Sequence, residues 1–307
     1  MRFLVAALAA LTLTPVAAAE PYHLIDLTAQ FSALYDRTEG QALPVRVKAF
    51  KTDLAPLFPQ FYGRERFRSM SQAEYDGRIG RAIEGFAQIR ERYEGKAANF
   101  RNLLTPAYAS FTRAFPDMGD IGDVYLLHSL GEMDGGTRPF DGRQYLIFGA
   151  DVMGRSHPYQ DEEPFFHHEL FHVYHQRTFP GCEAIWCALW SEGLAVHVAR
   201  SLNPEATADQ LLLTVPENIP PAVDSNLQEA VCAVRDRFDS VRQSDNAALF
   251  SFGRLNERLP PRFGYYVGYL VAREAGRTRS LQQLAHLTPD QARHIIEAAL
   301  SRLATCG

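Results

Sequence analysis

The sequence predicts an α+β protein in which helices lie before and after a small sheet. Three observations carry this. From residue 22 to about 115, apolar side chains recur at helical spacing. Asp123 to Leu130 and Arg143 to Ala150 are rich in strand formers. From Phe165 to the end the pattern is helical again, so the order is not the regular βαβ alternation of a parallel sheet.

The first element is a signal peptide over residues 1–19. Arg2 supplies the positive start, Phe3 to Leu13 is an apolar run too short for a bilayer span, and Ala17-Ala18-Ala19 suits cleavage. The mature chain is then expected to start near Glu20, in the periplasm or outside the cell. A buried N-terminal helix is the alternative reading. No cysteine follows the cleavage site to carry a lipid, and no later apolar run is long enough for an integral membrane segment.

Residues 20–120 form the predicted N-terminal helical region. Leu27, Phe31 and Leu34 share a face, as do Ile79, Ile83 and Phe86. Ser71 is placed to cap a helix starting at Gln72. Pro44, Pro56, Pro59 and Pro106 punctuate the region.

Residues 121–307 form the second predicted domain. The two strand-like runs are joined by GEMDGGTRPFDG, dense in turn residues, which suggests a hairpin with a long loop. His128, inside the first run, reads as a hydrogen-bonded polar residue rather than a ligand. Beyond the strands, Trp190 to Arg200, Leu227 to Asp239, Gly264 to Glu274 and Pro289 to Leu303 are the strongest helical stretches. Thr288 ahead of Pro289 and Asp290 is a good helix start.

Bulk composition excludes some partners. The 307 residues carry a net charge of −5 and no basic block, so nothing points to nucleic acid. Cys182, Cys187, Cys232 and Cys306 are an even set without a CxxC pair, which in an exported chain suggests disulfides. Cys182 and Cys187 flank a short loop that a bridge would staple, leaving Cys232 for Cys306. Four cysteines allow three pairings, and the sequence does not choose among them.

The chemistry concentrates in FFHHELFHVYHQ, Phe165 to Gln176. His168-Glu169-Leu170-Phe171-His172 matches H-E-x-x-H. On a helix, positions i and i+4 lie one turn apart on one face, so two imidazoles can hold one zinc ion with Glu169 in reach of a water on it. His167 points about 100° away around the helix, and His175 sits about 10 Å further along the axis from His168. Both are flanking residues, either supporting the site or without a role in it. The metzincin extension needs a glycine at 175 and a histidine at 178, where this chain has His175 and Thr178.

Zinc takes a third protein ligand. Glu192, in WSEGLAVHVA, follows His172 after nineteen intervening residues. That spacing lets the first helix end near Thr178, break at Pro180 and Gly181, and return a carboxylate on a second helix. Gly193 beside it would let helices pack closely.

H-E-x-x-H followed some twenty residues later by E-G-x-A resembles the gluzincin clan of zinc metallopeptidases, and most of all the small predicted zinc-dependent proteases of bacteria. The resemblance runs from Asp123 to about Gly276. It implies a zincin-like fold, with His168, His172 and Glu192 as ligands of Zn2+ and Glu169 as catalytic base. Thermolysin-like members carry an aspartate four residues after the third ligand; here that position is Val196, so the support of the ligands differs. The resemblance also implies an oxyanion donor from a later helix. RFGYYVGYLVAREAG supplies Tyr265 first and Tyr266 second, with His197 next; the tyrosines are equally readable as core aromatics. An edge strand ahead of the zinc helix would bind extended substrate, with RQYLIFGA and the GGT segment as candidates. The implied function is an exported zinc metallopeptidase acting on a peptide or protein. A zinc-binding protein without turnover and a zinc hydrolase for non-peptide amides are the alternatives.

Overall fold

The computed structural model describes residues 22–307; the predicted signal peptide and Glu20 lie outside them. The architecture is α+β and mostly helical, around one mixed four-stranded sheet.

The sheet comprises β1 (His23–Asp26), β2 (Asp123–Leu127), β3 (Gly135–Phe140) and β4 (Arg143–Gly149), in the order β1-β2-β4-β3. β1 runs parallel to β2, and β2 parallel to β4. β3 is antiparallel to β4, with Gly136 opposite Ile147. Two expectations are corrected here. The runs at 123 and 143 are parallel neighbours, not a hairpin. The hairpin partner of β4 is the segment read as loop, because pairing with β4 draws Gly135 to Phe140 into a strand despite their turn-forming composition. The helical N-terminal region also contributes β1. β4 is interior and buried from Tyr145 to Gly149, so of the two candidate edges the GGT segment, in β3, is the edge strand.

The long helix α1 (Gln72–Ala114) starts where expected. Ser71 accepts from the Glu74 amide while Glu74 accepts from the Ser71 amide, a reciprocal cap. The helix continues through Pro106, although proline removes one backbone bond. Its buried stripe, including Ile79, Phe86, Tyr93, Phe100, Leu104 and Phe111, holds it to the core on both sides of that proline. Each such large apolar side chain contributes about 1.5–3 kcal/mol on burial, which offsets one lost bond.

After the sheet come α2 (Ala150–Ser156), α3 (Glu163–His175), α4 (Ile185–Leu202), α5 (Phe263–Ala275) and α6 (Pro289–Leu303), with shorter helices between α4 and α5. Thr288 caps α6 in the same reciprocal way as Ser71. α3 lies with almost all its side chains buried, between α1, β3 and α4. α4 and α5 cross at two glycines. A Cβ on Gly193 would sit 2.1 Å from the Gly268 carbonyl carbon, so neither position has room for a side chain. Cys182 pairs with Cys187 and Cys232 with Cys306. No helix among the described residues is long and apolar enough to cross a membrane.

Candidate metal centre

α3 presents His168 and His172 one turn apart, and their Nε2 atoms come within 3.0 Å of each other. α4 brings Glu192 to the same point: its Oε2 lies 3.5 Å from His168 Nε2 and 3.3 Å from His172 Nε2. One ligand atom from each residue falls within 4.8 Å of the others. The start of α4 is held from outside the helix, since the amides of Ile185 and Trp186 donate to the carbonyls of Ser240 and Phe238. The Cys182–Cys187 bridge joins the preceding loop to the first turn, as the stapled-loop reading supposed.

The donor set favours a single positive charge at its centre, because burial and then the His172 charge pull the His168 pKa down while His172 itself is raised. Burial opposes a proton on His172, but the Glu192 carboxylate beside it wins and pushes the pKa up to about 9. Burial likewise opposes the charge of Glu192, yet His172 and the hydrogen bonds from both imidazoles hold it well below the usual carboxylate range. Two imidazole nitrogens and one carboxylate oxygen converging on a cation-stabilising point are donor chemistry that fits zinc.

Glu169 lies beside this point, buried, and its Oε2 has no hydrogen-bond partner. Burial pushes its pKa up to about 8, with Asp134 and Glu192 adding to the rise and His172 opposing it. β3 passes directly over it: a Cβ on Gly135 would lie 3.1 Å from the Glu169 Cγ. The glycine therefore allows the strand to approach the carboxylate.

A cavity of about 300 Å³ opens onto the three donors and Glu169, walled by β3, Gln176, Leu211, Leu212, Arg262 and Tyr265. A second, larger cavity of about 770 Å³ is lined by different residues. Tyr265 faces His168, ring centroids 6.5 Å apart, whereas the Tyr266 hydroxyl turns to Asp224 at 3.3 Å. Burial, followed by the Glu192 charge, raises the Tyr265 pKa, so its hydroxyl keeps its proton. His197 does not line the cavity; its Nε2 packs against Gly276.

The remaining histidines are engaged elsewhere. His167 Nε2 bonds Ser110 Oγ at 2.6 Å, and its Nδ1 accepts from Asn203 at 2.8 Å, which ties α3 to α1 and α4. His175 is stacked between Phe171 and Phe179, with burial pulling its pKa down to about 3. His128 is wholly buried against Phe31 and accepts from the Leu130 amide through Nδ1, while its Nε2 has no partner.

Two features of the site escaped the sequence reading. Arg262 holds a left-handed backbone, φ 64°, at the start of α5; its guanidinium lies 4.6 Å over the Tyr265 ring and donates to the Val215 carbonyl at 3.0 Å. It stands in the quoted RFGYY segment, but only the fold shows where it points. The other is a buried chain. Lys96 pairs with Glu162, Glu162 with His157 Nδ1 at 2.8 Å, and His157 Nε2 with Asp134 at 3.3 Å, and Asp134 opens onto the cavity. These residues come from three separate stretches, His157 and Glu162 sharing one, with no sequence signal linking them.

The class of molecule so defined is an α+β protein with a two-histidine, one-glutamate group able to hold a metal. Comparison with known proteins finds no matching family, no matching curated protein and no matching solved structure.

Proposed function

We propose that the chain is an exported zinc-dependent metallopeptidase of the gluzincin type, with a zincin-like catalytic domain. The observation that carries the reading is the three-donor set beside a buried, unpartnered carboxyl. Metal binding alone has no use for Glu169; general acid–base catalysis does.

His168, His172 and Glu192 would hold the ion. Zinc bound there would supply Lewis-acid activation of a water and of a carbonyl group. Glu169 takes the proton of the attacking water and returns it to the leaving amine. A pKa displaced toward neutrality suits that double role. The protonated Tyr265 hydroxyl donates to the oxyanion that develops on the scissile carbonyl, with Arg262 steadying its ring. Tyr266, turned to Asp224, is left as a packing residue. The outer edge of β3 offers backbone groups to an extended peptide, placing its chain across Glu169. Two disulfides agree with export to an oxidising compartment.

The test is metal content together with turnover of a peptide library. The purified protein is expected to hold about one Zn2+ per chain. His172→Ala and Glu192→Ala should each lower occupancy sharply, while Glu169→Ala keeps the zinc and loses turnover. A zinc-loaded parent with no turnover above that of Glu169→Ala would leave a metal-binding protein, and cleavage of small amides but no peptide would leave a non-peptide hydrolase.

A further inference from the structure

The larger cavity, about 770 Å³, lies between the N-terminal half of α1, the loop after β2 and the end of α2. Its volume suits a small organic ligand. Three guanidiniums face it: Arg78 and Arg81, three residues apart on α1, and Arg155 in the last turn of α2.

The acidic groups nearby do not balance them. Glu132 pairs with Arg78 at 3.1 Å, but it also takes both guanidinium nitrogens of Arg66 and faces Arg138 at 3.5 Å. One carboxylate thus serves three arginines. Glu74 is held in the cap at Ser71. Arg81 and Arg155 have no ion pair or hydrogen bond among the described residues, and both are exposed on the cavity. Arg78 is half-buried, and its Nε has no partner. In a chain of net charge −5, this local cationic excess is a departure from the whole.

The opposite wall is rigid. Asp151, fully buried, accepts from the amides of Ser129 at 2.6 Å and Gly131 at 2.8 Å. His128 holds the Leu130 amide, and Ser129 Oγ holds those of Glu132 and Met133. Five successive amides are therefore fixed by buried side chains, and they hold Leu130 at φ 57°, a left-handed backbone unfavourable for leucine. A preformed wall facing Arg81 and Arg155, both unpaired, and the shared Arg78 is what a binding site needs, because little ordering remains to be done when the ligand arrives.

We propose that this cavity binds a phosphate-bearing small molecule, with the phosphate held by Arg78, Arg81 and Arg155. Guanidiniums approaching from two helices suit a tetrahedral oxyanion, which offers more acceptor directions than a planar carboxylate. The concave shape favours a soluble ligand over a lipid headgroup, although the phosphate chemistry is common to both. The site is independent of the peptidase reading, since it shares no lining residue with the metal centre.

The probe is inorganic pyrophosphate, titrated calorimetrically into the zinc-loaded full-length mature protein. Saturable binding is expected, weakened about tenfold or more in Arg81→Ala/Arg155→Ala. Both side chains are exposed, so this variant should fold; its unfolding temperature checks that. His172→Ala, which disrupts the metal donors, should bind pyrophosphate as the parent does. Absence of saturable binding would overturn the proposal. So would binding that survives the arginine substitutions but vanishes in His172→Ala, which places the anion on the metal. Equal competition by acetate would overturn the choice of phosphate. Retention on phosphatidic-acid vesicles without pyrophosphate binding would overturn the soluble ligand in favour of a headgroup.

Discussion

Gly268→Ala probes the crossing on which the site depends. The added methyl would lie 2.4 Å from the Leu189 carbonyl oxygen and 2.9 Å from the Gly193 Cα. Both obstructing atoms are backbone, so no side-chain rotation relieves the clash. Reaching an ordinary contact of 3.4 Å requires α5 to move off α4 by about 1 Å. Such overpacking costs about 1–3 kcal/mol, or more where backbone must move, while alanine in a helix interior regains about 1 kcal/mol. Because both obstructing atoms are backbone the upper end applies, about 3 less about 1, so the clash wins with a net loss of about 2 kcal/mol and a fall in Tm of about 4–8 °C. Gly95→Ala on α1 is the control: nothing lies within 4 Å of its Cβ, so helix propensity acts alone and stability should rise by up to about 1 kcal/mol. Glu192 adjoins Gly193 on α4, and Tyr265 is one turn before Gly268 on α5. Parting the helices therefore shifts the proposed oxyanion donor against the candidate metal ligand, and a misplacement of about 1 Å costs about 10²-fold in kcat. Zinc content should hold, because α4 stays packed on α3. Thermal unfolding and peptide turnover measure the two effects. An unchanged or raised Tm in Gly268→Ala would refute the close crossing itself. A lowered Tm with full turnover would leave the crossing intact but sever it from catalysis.

Further outcomes are expected. Tyr265→Phe should lower kcat about 10²- to 10³-fold with little change in KM or zinc content, and Tyr266→Phe should be mild; steady-state kinetics of both checks the donor assignment. His157 is opposed by burial, but Asp134 and Glu162 raise its pKa above the ordinary 6.5. Its stabilisation is complete below 6.5 and is lost as pH rises through the raised value; Asp134, whose burial His157 outweighs to hold it below 3.8, stabilises above 3.8 and loses that as pH falls through its lowered value. The stability gap between the parent and His157→Gln, from urea unfolding, should therefore be widest between those limits and narrow in alkaline buffer; a gap constant from acid to alkali would contradict the charged pair. The Cys232–Cys306 bridge spans 74 residues and Cys182–Cys187 only 5, so serine replacements should cost about 4–5 and about 2 kcal/mol respectively, read from denaturant midpoints.

What the sequence disclosed depended on the range of the cause. His168 and His172 were legible because a helical turn fixes their relation within five residues. Ser71 and Thr288 were legible because a cap is a contact three residues long. Glu192 could be placed because helix breakers at Pro180 and Gly181 bound the excursion between two helices. β3 was misread because Gly135, Gly136 and Pro139 are turn formers, and only the partner strand β4 makes them extended. The parallel pairing of β2 with β4 was missed through the same error. Four-residue β1 is too short to show a period, and its partner is remote. Arg262 and the Lys96–Glu162–His157–Asp134 chain were invisible because their contacts at Val215, Lys96 and Asp134 are remote in sequence and brought together only by the fold.

The pairing of β1 with β2 bears on how the molecule comes into being. His23 meets Asp123 across 100 residues, and the whole of α1 lies between them. A ribosome adding about 5–20 residues per second leaves β1 without its neighbour for about 5–20 s. Throughout that interval the helices before residue 115 can form, but the sheet they pack against does not exist. The nascent chain thus carries an open strand and an uncovered helix stripe until β2 emerges and the sheet can close.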